Sequence, residues 1–120
     1  MVKKLSYGKN SDDSDFFLPV IEYMNKNYNR YITTSELAKL LYVHPSYLIR
    51  KFKAVYGIPP HAYFSTIKIK KATELLSSTD SSVKEVSKKL GIDDATYFSR
   101  WFKKYNGFSP TEYRKKLKNN

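Results

Sequence analysis

The sequence carries the same pattern twice. The segment at 36–63, ELAKLLYVHPSYLIRKFKAVYGIPPHAY, returns with changes at 85–113 as EVSKKLGIDDATYFSRWFKKYNGFSPTEY. In each copy, apolar residues recur every three or four positions on both sides of a tight turn, which predicts two short helices. Two such helices form a helix-turn-helix pattern. Because a solenoid needs at least about three repeats, the sequence predicts two tandem helix-turn-helix units instead.

Capping residues mark where the helices begin and end. Thr33 precedes the first copy and Glu36 follows three residues later. This is a capping box, in which each side chain satisfies a backbone N–H group of the other residue. Ser82 and Glu85 repeat the box in the second copy, and Ser109 is predicted to be the N-cap of a last helix. A glycine follows the second helix of each copy, and glycine ends helices because it adopts a left-handed conformation without a Cβ clash.

The segments around the two copies divide the chain. Residues 1–14 are polar and lack apolar periodicity, so they are predicted to be a flexible tail or an interdomain linker. A first helix is predicted from about Asp15 to Asn27, and it opens a first helix-turn-helix subdomain at 15–60. A linker helix at 61–78 then leads to the second helix-turn-helix subdomain at 79–120.

The chain is strongly basic, with 22 Lys and Arg against 11 Asp and Glu and a net charge of +11. A solvated, lysine-rich surface and a polyanionic partner both explain this excess. The second explanation is favoured, since clustered cations on a small domain release counterions from a phosphate backbone. Within the linker helix, Lys68, Lys70 and Lys71 are predicted to lie on the exposed sides.

Several classes of protein are disfavoured by what the sequence lacks. There is no cysteine, so a disulfide framework, a thiolate metal site and a cysteine nucleophile are excluded. No apolar run has the length of a membrane span, and the first residues do not resemble a signal peptide. We therefore expect a soluble, cytoplasmic protein.

Two pairs of side chains could indicate metal binding or catalysis, but each has a simpler interpretation. His44 and His61 have no ligand-type partners nearby, so no metal site is predicted. Asp93 and Asp94 could act as paired carboxylates, but at a helix start they fit N-terminal capping. No Ser-His-Asp arrangement and no phosphate-binding glycine loop is present. We expect neither an enzyme nor a bound cofactor.

The segment at 90–115, LGIDDATYFSRWFKKYNGFSPTEYRK, combines a glycine turn, an aromatic pair, an arginine, a Phe-Lys pair, a glycine and a Pro-x-x-Tyr-Arg ending. In these residues the chain resembles the C-terminal DNA-binding domain of the AraC/XylS family of bacterial transcription regulators. The resemblance covers roughly residues 16–117. It implies an all-α fold of about seven helices, in which a long linker helix joins two homeodomain-like three-helix helix-turn-helix subdomains.

Four residues depart from the family pattern. Tyr42 occupies the first turn, where the family usually has glycine, so a strained or altered turn is expected there. Ser87 replaces an alanine at a tight contact between helices and is small enough to keep the fold. Ile92 replaces a phenylalanine, and Lys68 replaces an arginine of the linker helix.

The resemblance implies sequence-specific binding of a double-stranded DNA operator for transcription regulation. Each subdomain would lay its second helix, the recognition helix, into a major groove, and successive grooves on one face of DNA lie about 34 Å apart. A contact with RNA polymerase is also implied. The alternative is a protein-interaction module, such as an anti-activator or a sigma-factor binder, and a third candidate is general nucleic-acid packaging. We expect this chain to be a monomer, whereas a longer protein could dimerise through a further domain.

Helical spacing separates core residues from DNA-facing residues in the two recognition helices. Leu48 and Phe52 are predicted to be buried in the first, and Phe98 and Phe102 in the second. The opposite faces give the candidates for reading bases: Ser46, Tyr47, Ile49, Arg50, Ala95, Thr96, Ser99 and Arg100. The candidates for phosphate contact are Thr33, Thr34, Lys53, Ser82 and Lys103.

Arg50 and Arg100 are the strongest base-reading candidates, because arginine donates two hydrogen bonds to guanine O6 and N7. Each could instead contact a phosphate or form a surface salt bridge. Ile49 and Ala95 could meet thymine methyl groups. The hydroxyl groups at helix starts could serve capping alone. Trp101 could stack on a base, but its spacing favours the edge of the core or a contact with the linker helix.

Overall fold

The computed structural model describes residues 14–118, and these residues are largely helical. The helices are α1 (Leu18–Lys26), α2 (Thr34–Leu41), α3 (Pro45–Tyr56), α4 (Pro60–Ser78), α5 (Val83–Lys89), α6 (Ala95–Asn106) and α7 (Pro110–Lys118). A helical turn at 14–16 precedes α1, and no strand occurs between residues 14 and 118. The predicted all-α fold is confirmed. The predicted tail lies outside the described residues, apart from Ser14.

The described residues form two compact units. The first contains residues 14–27 and 32–64, with α1, α2, α3 and the beginning of α4. The second contains residues 28–31 and 65–118, with the remainder of α4 and then α5, α6 and α7. Each unit therefore contains one helix-turn-helix motif, α2 with α3 in the first and α5 with α6 in the second.

The start of α1 differs from the prediction. The predicted helix begins at about Asp15, but α1 begins at Leu18, and Phe17 is its N-cap with φ −93° and ψ 2°. Pro19 explains the difference, because a proline inside a helix clashes with the carbonyl group four residues earlier, here that of Asp15. Pro19 itself lies in the first turn of α1, where its missing N–H group needs no partner.

Phe52 of α3 lies at the centre of the first unit's core. Its side chain is fully buried, and its ring centroid lies 5.3 Å from that of Phe17, 4.5 Å from Tyr56 and 5.5 Å from Tyr63. Such ring pairs contribute about 0.5–1.5 kcal/mol each beyond their buried area. Phe17 is also fully buried, and the other buried apolar residues of this unit are Val20, Met24, Leu37, Ala38 and Leu48. The burial of Phe52 decides which face of α3 remains exposed.

Phe102 of α6 has the equivalent place in the second unit. It is fully buried, with its ring centroid 5.9 Å from that of Phe98 and 5.7 Å from that of Tyr113 in α7. Trp101 packs against the same core, 6.0 Å from Phe98, so its predicted position at the core edge is confirmed. The buried residues of this core are Ala72, Leu76, Val86, Leu90, Phe98 and Phe102.

Two cationic side chains of the second unit bind the C-terminal ends of helices. The prediction that Lys68 is exposed is wrong, because only 9% of it is exposed and its Nζ donates to the carbonyl of Leu90 at 2.8 Å. This burial lowers the pKa of Lys68. Arg114 donates to the carbonyls of Leu76 and Thr79 at 3.0 Å and 3.1 Å. Carbonyl groups at helix C-termini lack intrahelical partners, so these bonds stabilise the ends of α5 and α4.

The turn of the first helix-turn-helix motif contains a left-handed tyrosine. Tyr42, the C-cap of α2, has φ 57° and ψ 42°. Among residues 14–118 it is the one residue other than glycine with a positive φ. Its side chain is 96% exposed, so packing does not compensate the Cβ clash of this conformation. Tyr42, where the family usually has glycine, is therefore a source of backbone strain in this turn.

The turn of the second motif is closed by backbone packing. Gly91 has φ 76°, and a Cβ at this position would lie 2.3 Å from the carbonyl oxygen of Asn29. Ser87 is buried, and its hydroxyl donates to the carbonyl of Ile92 across the turn. Glycine at 91 is thus required both by its φ and by the close approach of the Asn29 backbone.

Replacing Gly91 by alanine should destabilise the chain more than the same change at Gly107. Gly107 also has a positive φ, 92°, but no atom lies within 4 Å of the Cβ position. Gly107→Ala should therefore lower the free energy of unfolding by the left-handed penalty alone, about 1–2 kcal/mol. Gly91→Ala must in addition displace the Asn29 backbone. Urea denaturation of both variants measures the difference, and equal losses would contradict the close packing at Gly91.

Replacing Tyr42 by glycine should stabilise the chain. Glycine relieves about 1–2 kcal/mol of left-handed strain. Its greater entropy in the unfolded chain costs about 0.5–1 kcal/mol. The free energy of unfolding should therefore rise by a net amount of about 1 kcal/mol. Tyr31→Gly is the matched control, since Tyr31 is 79% exposed but does not have a positive φ. Thermal unfolding should give a higher midpoint for Tyr42→Gly and a lower one for Tyr31→Gly. A lower midpoint in both would show that Tyr42 is not strained.

Candidate nucleic-acid interface

The recognition helix of the first unit, α3, turns opposite faces to the core and to the outside. Leu48 and Phe52 are fully buried, as predicted. The candidates for DNA contact on this helix are all exposed residues: Ser46, Tyr47, Ile49, Arg50 and Lys53. The outward face of α3 therefore combines hydroxyl, aromatic, aliphatic and cationic groups, which is the mixture that reads base edges and phosphates in a major groove.

Arg50 is held on this face by a neighbouring ring. Its guanidinium carbon lies 5.3 Å from the ring centroid of Tyr47, one turn earlier on the same helix. A cation–π contact at an exposed site contributes about 0.5–1 kcal/mol. The contact orients the guanidinium group before any ligand arrives, which reduces the conformational entropy that Arg50 would lose on binding.

The recognition helix of the second unit, α6, has the same division. Phe98 and Phe102 are fully buried, as predicted. Thr96, Arg100 and Lys103 are exposed, whereas Ala95 and Ser99 are partly exposed. The candidate residues of the two motifs thus occupy corresponding positions on two helices of equal length, 12 residues each.

Lys103 has an acidic neighbour. Its Nζ lies 4.0 Å from Oε1 of Glu112 in α7, and both side chains are more than half exposed. Glu112 belongs to a capping box that the sequence analysis did not identify, in which Glu112 accepts from the Ser109 N–H at 2.8 Å and Ser109 accepts from the Glu112 N–H at 3.1 Å. The Ser109 N–H is the main reason why the pKa of Glu112 is lowered, and Lys103 adds to the effect. An ion pair this exposed is weak, so Lys103 can exchange Glu112 for a phosphate.

The hydroxyl groups proposed for phosphate contact serve as helix caps. Thr33 accepts from the Glu36 N–H at 3.1 Å, and Ser82 accepts from the Glu85 N–H at 3.0 Å. Both predicted capping boxes are confirmed, since each glutamate also accepts from the N–H of its cap residue. The bond from the Ser82 N–H is the main cause of the lowered pKa of Glu85. Thr34, the first residue of α2, is partly exposed.

His44 has a capping role that was not predicted from the sequence. It is the N-cap of α3, and its Nδ1 accepts from the backbone N–H of Ser46 at 3.1 Å. At the corresponding position of α6, Oδ1 of Asp94 accepts from the N–H groups of Thr96 and Tyr97 at 2.9 Å and 3.2 Å. The capping role expected for Asp94 is confirmed. The match between His44 and Asp94 in the repeat was the signal that could have identified His44.

Two features are absent from residues 14–118. No three His, Cys, Asp or Glu side chains in this part of the chain lie close enough together to hold a metal ion. None of the helices described there is long and apolar enough to span a membrane.

The chain is similar to a family of helix-turn-helix domains and to several solved structures. The family model of a helix-turn-helix domain matches residues 37–116. A transcriptional regulator of Chromobacterium violaceum, described as an AraC-type DNA-binding domain-containing protein, has a similar structure with a TM-score of 0.79 at 22% identity, over 87% of this chain and 93% of that chain. The chain belongs to the AraC/XylS family. It is a helix-turn-helix DNA-binding domain of the kind found in transcription regulators.

Further relatives place this AraC-family domain among bacterial regulators. An uncharacterised helix-turn-helix transcriptional regulator of Bacillus subtilis, YisR, is 36% identical over 93 residues, which are 78% of this chain and 32% of the relative. The chain spans about a third of the length of the curated relatives it matches. The DNA-binding domain of AdpA, solved in complex with a target DNA, shares the fold with a TM-score of 0.77 at 24% identity, over 83% of this chain and 90% of that one.

Proposed function

We propose that this AraC-family domain binds operator DNA sequence-specifically, with α3 and α6 each entering a major groove. The main support for the proposal is the spacing of an exposed arginine and a buried phenylalanine, which occurs in both units. In α3, exposed Arg50 lies two residues before fully buried Phe52. In α6, exposed Arg100 stands in the same relation to Phe102. The buried ring fixes the rotation of the helix, so the arginine is kept on the outward face, where it can donate two hydrogen bonds to a guanine.

Position along each helix supports the division between base reading and phosphate contact. The base-reading residues of the proposal are Ser46, Tyr47, Ile49 and Arg50 of α3 and Ala95, Thr96, Ser99 and Arg100 of α6. Lys53 and Lys103 follow one turn later, where a long cationic side chain reaches the DNA backbone. Thr33, Thr34 and Ser82 lie at the starts of α2 and α5, where hydroxyl and N–H groups can face a phosphate.

Two recognition helices on one chain allow a single copy to bind an asymmetric site. Successive major grooves on one face of DNA lie about 34 Å apart, which is one helical turn. The operator is therefore proposed to contain two short blocks at that spacing. The complex of the AdpA domain with DNA, whose fold this chain shares, supports DNA as the ligand.

The proposal also covers the setting in which the domain works. Operator DNA in bacteria is cytoplasmic, so we assign the chain to the cytoplasm. It acts without a catalytic step, binds DNA as a monomer, and contacts RNA polymerase when transcription is regulated. Dimerisation, where it occurs, is assigned to a domain outside this chain.

Arginine and lysine variants of α6 should separate the two kinds of contact. Arg100→Ala should remove about 1–3 kcal/mol of discrimination at one base position and leave other positions unchanged. Lys103→Ala should weaken binding to all sequences alike and reduce the slope of log K against log salt by about one. Both effects are measured by fluorescence titration of a selected DNA site and of single-base variants of that site, at several salt concentrations.

Lys26→Ala is the charge-matched control for these variants. Lys26 lies in the last turn of α1, outside both helix-turn-helix motifs, so its loss should leave the salt slope nearly unchanged. If Arg100→Ala weakens matched and mismatched sites equally, Arg100 does not read a base. If Lys26→Ala and Lys103→Ala lower the salt slope equally, the binding reflects net charge and not an interface at α6.

A further inference from the structure

The cap of the first recognition helix includes a second hydrogen bond between the same two residues. Besides accepting from the Ser46 backbone N–H at 3.1 Å, Nδ1 of His44 lies 2.7 Å from the hydroxyl oxygen of Ser46. Both distances are within hydrogen-bonding range. The imidazole of His44 therefore contacts the backbone and the side chain of one candidate base-reading residue at once.

The backbone bond settles which atom of the second bond is the donor. A backbone N–H group can only donate, so Nδ1 must be the unprotonated nitrogen of the ring, and the proton of the neutral imidazole is on Nε2. An unprotonated Nδ1 can only accept. Its single lone pair is shared by the two donors of Ser46, the backbone N–H and the hydroxyl, so the 2.7 Å contact is a hydrogen bond only if the hydroxyl donates its hydrogen to His44.

This arrangement determines whether the Ser46 hydroxyl donates or accepts a hydrogen bond with a ligand. A serine hydroxyl has one hydrogen and two lone pairs, and it normally rotates to act as either donor or acceptor. With its hydrogen directed to His44, the Ser46 oxygen presents lone pairs alone. In the major groove, adenine offers the N6 amino group and cytosine the N4 amino group, whereas the edges of guanine and the O4 of thymine only accept.

We propose that His44 makes Ser46 an obligate hydrogen-bond acceptor, and that the base met by Ser46 is consequently adenine or cytosine. His44 is thus a positioning residue that determines specificity without touching the base. The inference rests on the proposed function, since it assumes that α3 lies in a major groove with Ser46 at a base edge. It goes further by assigning a chemical preference to one position of the operator.

Two variants test the inference in DNA selected from a randomised pool. The unmodified chain should show, at one position of the block read by α3, an enrichment of adenine and cytosine of about two- to tenfold, the range of one net hydrogen bond. Ser46→Ala should abolish this preference. His44→Gly should allow guanine and thymine as well, because the freed hydroxyl can then donate. Glycine is a tolerated N-cap, so the loss of helix stability should be small. The block read by α6 should not change in either variant and serves as the internal control.

The protonation of the ring is measured independently by ¹⁵N NMR of the His44 imidazole near neutral pH. The expected spectrum has a protonated Nε2 and an unprotonated Nδ1. A ring protonated on Nδ1, or enrichment of guanine or thymine at the position lost in Ser46→Ala, overturns the inference about His44 and leaves the DNA-reading proposal intact. If no base is enriched at any position, the proposed function itself fails, and the preference assigned to Ser46 fails with it.

Discussion

A single left-handed residue in each helix-turn-helix motif sets the path of the chain into the recognition helix. In the first unit this residue is Tyr42, with φ 57°, and in the second it is Gly91, with φ 76°. The reversal at this point lets a phenylalanine of the following helix reach the core, and the buried phenylalanine in turn fixes which residues of that helix face outward. The positions of the proposed DNA-contacting residues depend on these two successive constraints. The two turns differ in kind, since the first is strained and exposed while the second is packed against the backbone of Asn29.

Much of the fold could be predicted because its signals are local. The capping boxes of Thr33 with Glu36 and of Ser82 with Glu85 depend on residues three positions apart, so the sequence alone identifies them. The same holds for the spacing that buries Phe52 and Phe102. The internal repeat strengthened each local prediction, because the capping residues and apolar spacing of one unit could be compared with those of the other.

Two of the missed features depend on distant residues, whereas the Ser109–Glu112 capping box and the His44 N-cap are local and were overlooked. Lys68 can be buried because its Nζ donates to the carbonyl of Leu90, 22 residues later. Helical spacing does not predict a partner so far along the chain. Arg114 likewise bonds to the end of a helix more than 30 residues earlier. In the candidate site, the exposed faces of α3 and α6 follow from spacing. The partners that orient their side chains, such as Glu112 beside Lys103, appear only once the helices are packed.

Selection of bound DNA from a randomised pool at near-physiological salt shows whether both recognition helices read bases. If they do, the selected sites should contain two short enriched blocks with centres about one helical turn apart, about 10 base pairs. Alanine in place of Arg50 should remove the preference at one base position of one block, and alanine in place of Arg100 should do so at one position of the other block. A pool that shows no enrichment, with a ratio of specific to non-specific affinity near one, would contradict the claim. A single block that is insensitive to changes in α3 would contradict it for the first unit.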